Sequence, residues 1–257
     1  GSGLVGSEMC IRDRKGPVRT QVSEVGLLDC YVGAHPMAGN EHSGWVAADP
    51  TLFDDALWAV TFGLHTQYRR VVQIAGMITR GVRNTMIVID DVTHDREASL
   101  ISHMPHVLST ALINEMTSDA NNAIASALSA GSWRDMTRVA LTDPDRTRAM
   151  VVENAHNVEE LLHRMIDWLS EFANALHEED ETEIRHFFAE GQPYRDYKAQ
   201  INAGKVSDST ETIFQSLRID PEHWREQLLK SAQRGEYIVR FTSGHRLIAE
   251  QHPSIRS

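Results

Sequence analysis

Seven apolar residues, Val151, Val158, Leu162, Met165, Leu169, Phe172 and Leu176, follow one another at steps of 7, 4, 3, 4, 3 and 4. That spacing draws a narrow stripe along one side of an α-helix, and a stripe of this length has to be covered by another helix. The expectation is a dimerisation helix, with an intramolecular bundle as the alternative. The tract ahead of it, residues 95–128, also has a helical period, at Ile101, Met104, Leu108, Ala111, Leu112 and Met116. Its apolar face is wide enough to predict a core helix buried on more than one side. Pro105 lies inside that tract and cannot donate to the carbonyl of Ile101, so a bend is predicted that turns His103 and His106 toward a cleft.

Upstream the pattern changes. Residues 18–27 read as a short helix, 30–34 as a buried strand, 57–62 as a second strand, 67–79 as an amphipathic helix closing at Gly81, and 85–89 as a third strand. Such alternation implies a parallel sheet, whose ligands bind beyond the carboxyl ends of the strands, and His35 falls just past one expected strand end. Gly1-Ser2-Gly3-Leu4-Val5-Gly6 has the form G-x-G-x-x-G, yet a dinucleotide-binding turn needs a strand before it and a βαβ unit after it. Residues 1–14 are therefore read as a non-native or damaged leader and set aside. Beyond Glu178 a helical hairpin is expected up to Asn202. Residues 203–257 suggest a helix at 221–233 and a strand at 237–241, with no chemical motif and an open role.

Composition removes several classes. A net charge of −11 argues against nonspecific nucleic-acid binding, so an anionic ligand would need a local positive pocket. No apolar run is long enough to span a bilayer, and the expected location is the cytoplasm. Cys10 and Cys30 are too few for a disulfide framework and lack metal-ligand spacing.

Three short stretches carry the chemistry. In His35-Pro36-Met37-Ala38-Gly39-Asn40-Glu41, proline fixes the backbone beside an imidazole able to accept a proton near neutral pH, and Gly39 would let the chain pass close to a ligand. Ser102-His103-Met104-Pro105-His106 follows His94-Asp95; that set admits a metal-dependent phosphohydrolase of the His-Asp type, although no second set of His and Asp ligands stands at helical spacing, and no metal is expected. In Trp133-Arg134-Asp135-Met136-Thr137-Arg138, the last guanidinium offers a fork of donors to a carboxylate, or is simply a solvated helix-end charge. A noncatalytic helical association module is a further alternative.

In order and spacing these stretches resemble the prephenate dehydrogenase family, over about residues 15–200. The resemblance implies an α/β remnant of a dinucleotide-binding, Rossmann-like domain over 15–92, followed by an all-α dimerisation and substrate domain over 93–202. It implies oxidative decarboxylation of prephenate, or of arogenate, with NAD or NADP, by a homodimer on the route to tyrosine. His35 would be the catalytic base, and His106 and Arg138 would hold the substrate. Gly39, Glu41 and His103 would stand on the substrate side, with His94 in support. Two positions depart from the family pattern: its serine falls on Asp13, and its frequent tryptophan on Thr147. The cofactor half is not covered, so the chain as written is expected to bind dinucleotide weakly or not at all.

Overall fold

The computed structural model describes residues 14–39, 48–206 and 213–255, and the side chains of these except 204–206. The chain divides into two compact units. The described residues of Gly1–Gly26, Ala38–Phe53 and Asp91–Leu162 form a helical unit. Those of Leu27–Met37, Asp54–Asp90 and His163–Ser257 form a unit built on a sheet.

The sheet has six strands, β1 (Gly33–Pro36), β2 (Leu57–Phe62), β3 (Thr85–Asp90), β4 (Phe214–Arg218), β5 (Glu236–Ser243) and β6 (Arg246–Gln251), in the order β1-β2-β3-β5-β6-β4. β2 is central because its sequence allows nothing else. Its last four residues, Ala59, Val60, Thr61 and Phe62, are all buried, and a run covered on both faces is what an internal strand requires. It runs parallel to β3, Leu57 opposite Thr85 and Phe62 opposite Asp90, with α2 (Tyr68–Gly76) as the crossover.

All other pairings are antiparallel, which corrects the expectation of a parallel sheet. β1 pairs with β2 through Gly33 opposite Thr61 and Pro36 opposite Trp58. His35 therefore lies toward the amino end of β2, within a strand rather than past a carboxyl end. The reason is the connection: a parallel pair needs a crossover, and among the described residues between β1 and β2 there is no helix to make one.

The C-terminal residues complete this core. β5 joins β3 at Met86 opposite Ile238, and Ile219, Trp224, Leu228, Ile238, Leu247 and Ala249 pack with Val60, Val71, Met86 and Val88. The helix expected at 221–233 is α11 (Trp224–Gln233), and the strand expected at 237–241 is part of β5. Trp224 meets Phe62 edge-on at 5.1 Å and Tyr68 at 5.6 Å. Arg225 ties α11 to the turn between β2 and α2 by donating Nη2 to the carbonyls of Leu64 (2.9 Å) and Thr66 (2.8 Å). Glu236, buried at the start of β5, accepts from Ser231 at 2.6 Å and from the Arg234 fork at 2.6 and 2.9 Å, so its charge is compensated.

The helical unit holds α1 (Lys15–Glu24), α3 (Asp91–Ala98), α4 (Met104–Ser118), α5 (Asn122–Leu128), α6 (Gly131–Thr137), α7 (Pro144–Glu153) and the start of α8 (Ala155–His177). The core helix expected over 95–128 is helical without a gap from Asp91 to Ser118 and is interrupted once. A π-helical turn occupies Ser99–His103, Pro105 follows at the start of α4, and a turn at 119–121 separates α4 from α5. Met104 is buried, but Leu100, Ile101 and Leu112 are exposed, so the apolar face is not covered within this chain. The apolar stripe from Val151 to Leu176 behaves similarly: Val151 belongs to α7, and on α8 Leu169 and Leu176 are exposed along with Ile166 and Trp168. Phe172 stacks on Phe187 of α9 (Glu181–Ala189) at 4.3 Å, and α10 (Gln192–Val206) completes the expected hairpin.

Leu228 is almost completely enclosed. Leu228→Ala should cost about 2–5 kcal/mol in urea unfolding if residues 213–255 belong to the core. A loss below about 0.5 kcal/mol would show that they hang outside it.

Candidate active site

One carboxylate organises the helical unit. Asp95, on α3, accepts the two first amides of α1, Lys15 at 2.7 Å and Gly16 at 3.0 Å, and so caps a helix 80 residues away. His94 Nδ1 adds a contact at 2.9 Å to the same carboxylate, and the Arg14 guanidinium lies 3.5 Å from its second oxygen. Burial alone would raise the Asp95 pKa, but the hydrogen bonds from His94 and from the Lys15 and Gly16 amides outweigh it and hold the group below 3.8. The His94-Asp95 pair thus works as a cap for α1, not for its own helix.

The backbone of Asp95 leads to the histidine motif. Asn154, fully buried in the junction between α7 and α8, donates Nδ2 to the Asp95 carbonyl at 2.7 Å, and the same nitrogen lies 3.2 Å from His103 Nδ1. Its Oδ1 accepts from Asn157 at 2.8 Å, which fixes the amide's orientation. His103 is completely enclosed at the end of the π-helical turn. Its place supports positioning rather than contact with a diffusing ligand.

His106, one turn further along α4, is half-buried. Burial pushes its pKa below 6.5, a hydrogen bond to the backbone of Val139 opposes this, and the charges of Arg146, His103 and Arg138 push it further down, in that order. Its Nδ1 is buried and has no partner among the described residues. Arg138 opens a short 3-10 turn, Arg138–Leu141, which Ser109 of α4 anchors by accepting the amide of Ala140 at 3.2 Å. The charges of two guanidiniums thus bear on His106 inside an acidic chain.

His35 belongs to the sheet unit, where its backbone is fixed opposite Ala59 and the next amides continue the pairing, Met37 donating to Leu57 at 2.8 Å. Gly39 is exposed; a Cβ there would meet nothing within 4 Å and its backbone is not left-handed, so no protein group requires glycine. Glu41, like Asp13 and the glycines at 1–6, lies outside the described residues. Among the described residues no group of three or more His, Cys, Asp or Glu could hold a metal ion, and no helix is long and apolar enough to cross a membrane. The turn from β2 into α2 offers no pyrophosphate cradle: Gly63 N donates to Thr66 Oγ1 at 3.0 Å and Thr66 N back to Gly63 O at 3.1 Å.

Sequence reasoning named His106 and Arg138 and did not single out Asn154 or Ser109, which the structure ties to the same helices. Asn154 did leave a trace: it stands between Val151 and Val158, a polar side chain at helical register inside an apolar stripe.

Two adjoining family models match the chain: "Prephenate dehydrogenase, nucleotide-binding domain" over residues 5–93, reaching into the segment set aside as a leader, and "Prephenate dehydrogenase, dimerization domain" over 90–190. The chain belongs to the prephenate dehydrogenase family. Prephenate dehydrogenase of Bacillus subtilis (strain 168) is 30% identical over 198 residues, spanning 75% of this chain and 51% of that protein. The chain spans about half the length of the curated relatives it matches. A putative prephenate dehydrogenase from Corynebacterium glutamicum superposes with a TM-score of 0.63 at 29% identity, covering 86% of this chain and 67% of that one. Prephenate dehydrogenase from Aquifex aeolicus, in complex with hydroxyphenyl propionate and NAD+, shares the fold with a TM-score of 0.62 at 22% identity, over 76% of this chain and 65% of that one. The Rossmann-like sheet followed by a helical domain is the architecture of this family, which is not the His-Asp hydrolase considered from the sequence.

Two outcomes test the helical network. Asn154→Ala strips partners from the Asp95 carbonyl and His103, and should cost about 1–3 kcal/mol in urea unfolding. The His106 ring should titrate below 6.5 by proton NMR. Since the unfolded ring binds its proton more readily, stability should fall as pH drops from about 6.5 toward the folded pKa, and His106→Asn should remove that component. A midpoint at or above 6.5 would contradict the geometry.

Proposed function

We propose that this chain acts in the oxidative decarboxylation of prephenate to 4-hydroxyphenylpyruvate, on the route to tyrosine in the cytoplasm. The single observation that carries the reading is His106, half-buried with its Nδ1 enclosed and without a partner among the described residues, and subject to the charges of Arg146 and Arg138 in a chain of net charge −11. A dianion is the ligand such a group suits. NAD or NADP is the hydride acceptor in this reading, with its phosphates held by residues beyond those described.

The roles of the chain's own residues follow from their chemistry. His35, as a neutral imidazole, takes the proton of the ring hydroxyl, and its edge strand and Pro36 hold it rigidly for that transfer. Arg138 grips a carboxylate through its fork of donors. His106, with Nε2 committed toward Val139, turns Nδ1 to the ligand, and a bound carboxylate favours the protonated ring. His103 keeps the π-helical turn in place through Asn154. Gly39 and Glu41 follow His35 in the same motif and stand on the substrate side in this reading, and a Cβ at Gly39 would meet nothing within 4 Å. The exposed apolar residues Ile166, Trp168, Leu169 and Leu176 on α8 support a homodimer, in keeping with the dimerisation domain matched over this region.

Steady-state kinetics with prephenate and NAD or NADP test the roles. His35→Asn should lower kcat by about 10²–10⁴-fold with KM little changed, and Arg138→Ala should chiefly raise KM. The reverse pattern would exchange the two assignments.

A further inference from the structure

Ser109 is a serine where helix formation alone would favour alanine. It stands inside α4 with 2% of its surface exposed, and a hydroxyl in a helix interior does nothing for the helix itself. Its oxygen works across the fold instead, accepting the amide of Ala140 at 3.2 Å. His106 and Ser109 are three residues apart and share a face of α4, so that face lies against the turn Arg138–Leu141. The same turn holds the ring of His106, which is hydrogen-bonded to the backbone of Val139. Nε2 makes that bond, because Nδ1 is enclosed and has no partner among the described residues. The bond favours the charged ring, so the ring donates and the Val139 carbonyl accepts. That carbonyl also takes the amide of Thr142 at 3.2 Å, which closes the turn from its other end.

We propose that Ser109 is a positioning residue for His106: by anchoring the amide of Ala140 it keeps the neighbouring Val139 carbonyl on Nε2, which leaves Nδ1 as the ring nitrogen that meets an anionic ligand. The inference rests on the reading given under Proposed function, in which His106 holds the substrate, and deepens it by naming what aims the ring. The two nitrogens of an imidazole cease to be equivalent once one of them is committed. Without the serine oxygen the Ala140 amide lacks its partner, the turn moves to find another, and the ring is released from Val139. Burial and the charges of Arg146, His103 and Arg138 all oppose protonation of His106, and the Val139 bond acts the other way. Release therefore has a sign: the ring holds its proton less readily.

The test uses the whole chain. Ser109→Thr and Ser109→Val have nearly the same shape and differ in the hydroxyl, so the cost of the added methyl is common to both, while Ser109→Ala removes the oxygen without adding volume. Nitrogen-15 NMR of the His106 ring reads its tautomer and titration midpoint, isothermal titration reads prephenate binding, and circular dichroism melts read stability. Ser109→Ala and Ser109→Val should lose the predominance of the Nε2-protonated neutral ring, move the midpoint further below that of the unsubstituted chain and weaken prephenate about three- to tenfold. Ser109→Thr should keep the ring signals and the affinity of the unsubstituted chain. If Ser109→Ala lowers the melting midpoint but leaves the ring signals and prephenate binding unchanged, the serine is a packing contact alone; the proposal is overturned and the functional reading survives. Ring signals that change on Ser109→Ala in a chain with no saturable prephenate binding would instead overturn the reading under Proposed function, and with it the ligand role given to Nδ1.

Discussion

A buried carboxylate with several partners is the contact on which the helical unit depends. Asp95 ends α1, engages His94 and, through its own carbonyl, fixes Asn154, which in turn fixes His103. Each donor in this set would otherwise be an unsatisfied polar group in an interior. The network is expensive to interrupt at any point, and it passes within three residues of His106. The placing of His106 is thus inherited from groups buried behind it, which is how rigid sites are ordinarily supported.

Much of this was legible in the sequence, and the failures have physical causes. β2 and β3 could be read because β-branched and aromatic runs bounded by turn residues leave few alternatives. The orientation of β1 could not, since a strand's direction in a sheet depends on the path of its connection, which composition does not report. The irregularity at Ser99–His103 and the break at 119–121 were partly visible: Pro105 announced a disturbance, but a π-helical turn rather than a simple bend accommodates it. Periodicity also overestimated burial. Ile101 and Leu112 sit at core spacing yet face outward, because an apolar stripe specifies that something must cover it, not that the same chain does.

The site residues divide in the same way. His35, His106 and Arg138 stand in contiguous motifs, and contiguity is what a sequence displays. Asn154 and Ser109 act across chain separations of about 30 to 50 residues, through partners that only folding brings near. Charge patterning set one constraint, that an anionic ligand of so acidic a chain would need a local cationic group, and it is the charges of Arg138 and Arg146 that bear on His106.

The joining of β5 to β3 has a bearing on how the polypeptide is made. Met86 and Ile238 are separated by roughly 150 residues, so the interior strand pair waits for a distant part of the chain to be made before its second edge is closed. Until then β3 presents an open rim of backbone donors and acceptors beside Met86 and Val88, a surface prone to wrong pairing. An interruption of synthesis ahead of β5 should accordingly be far more damaging than the lack of chemical motifs in that region suggests.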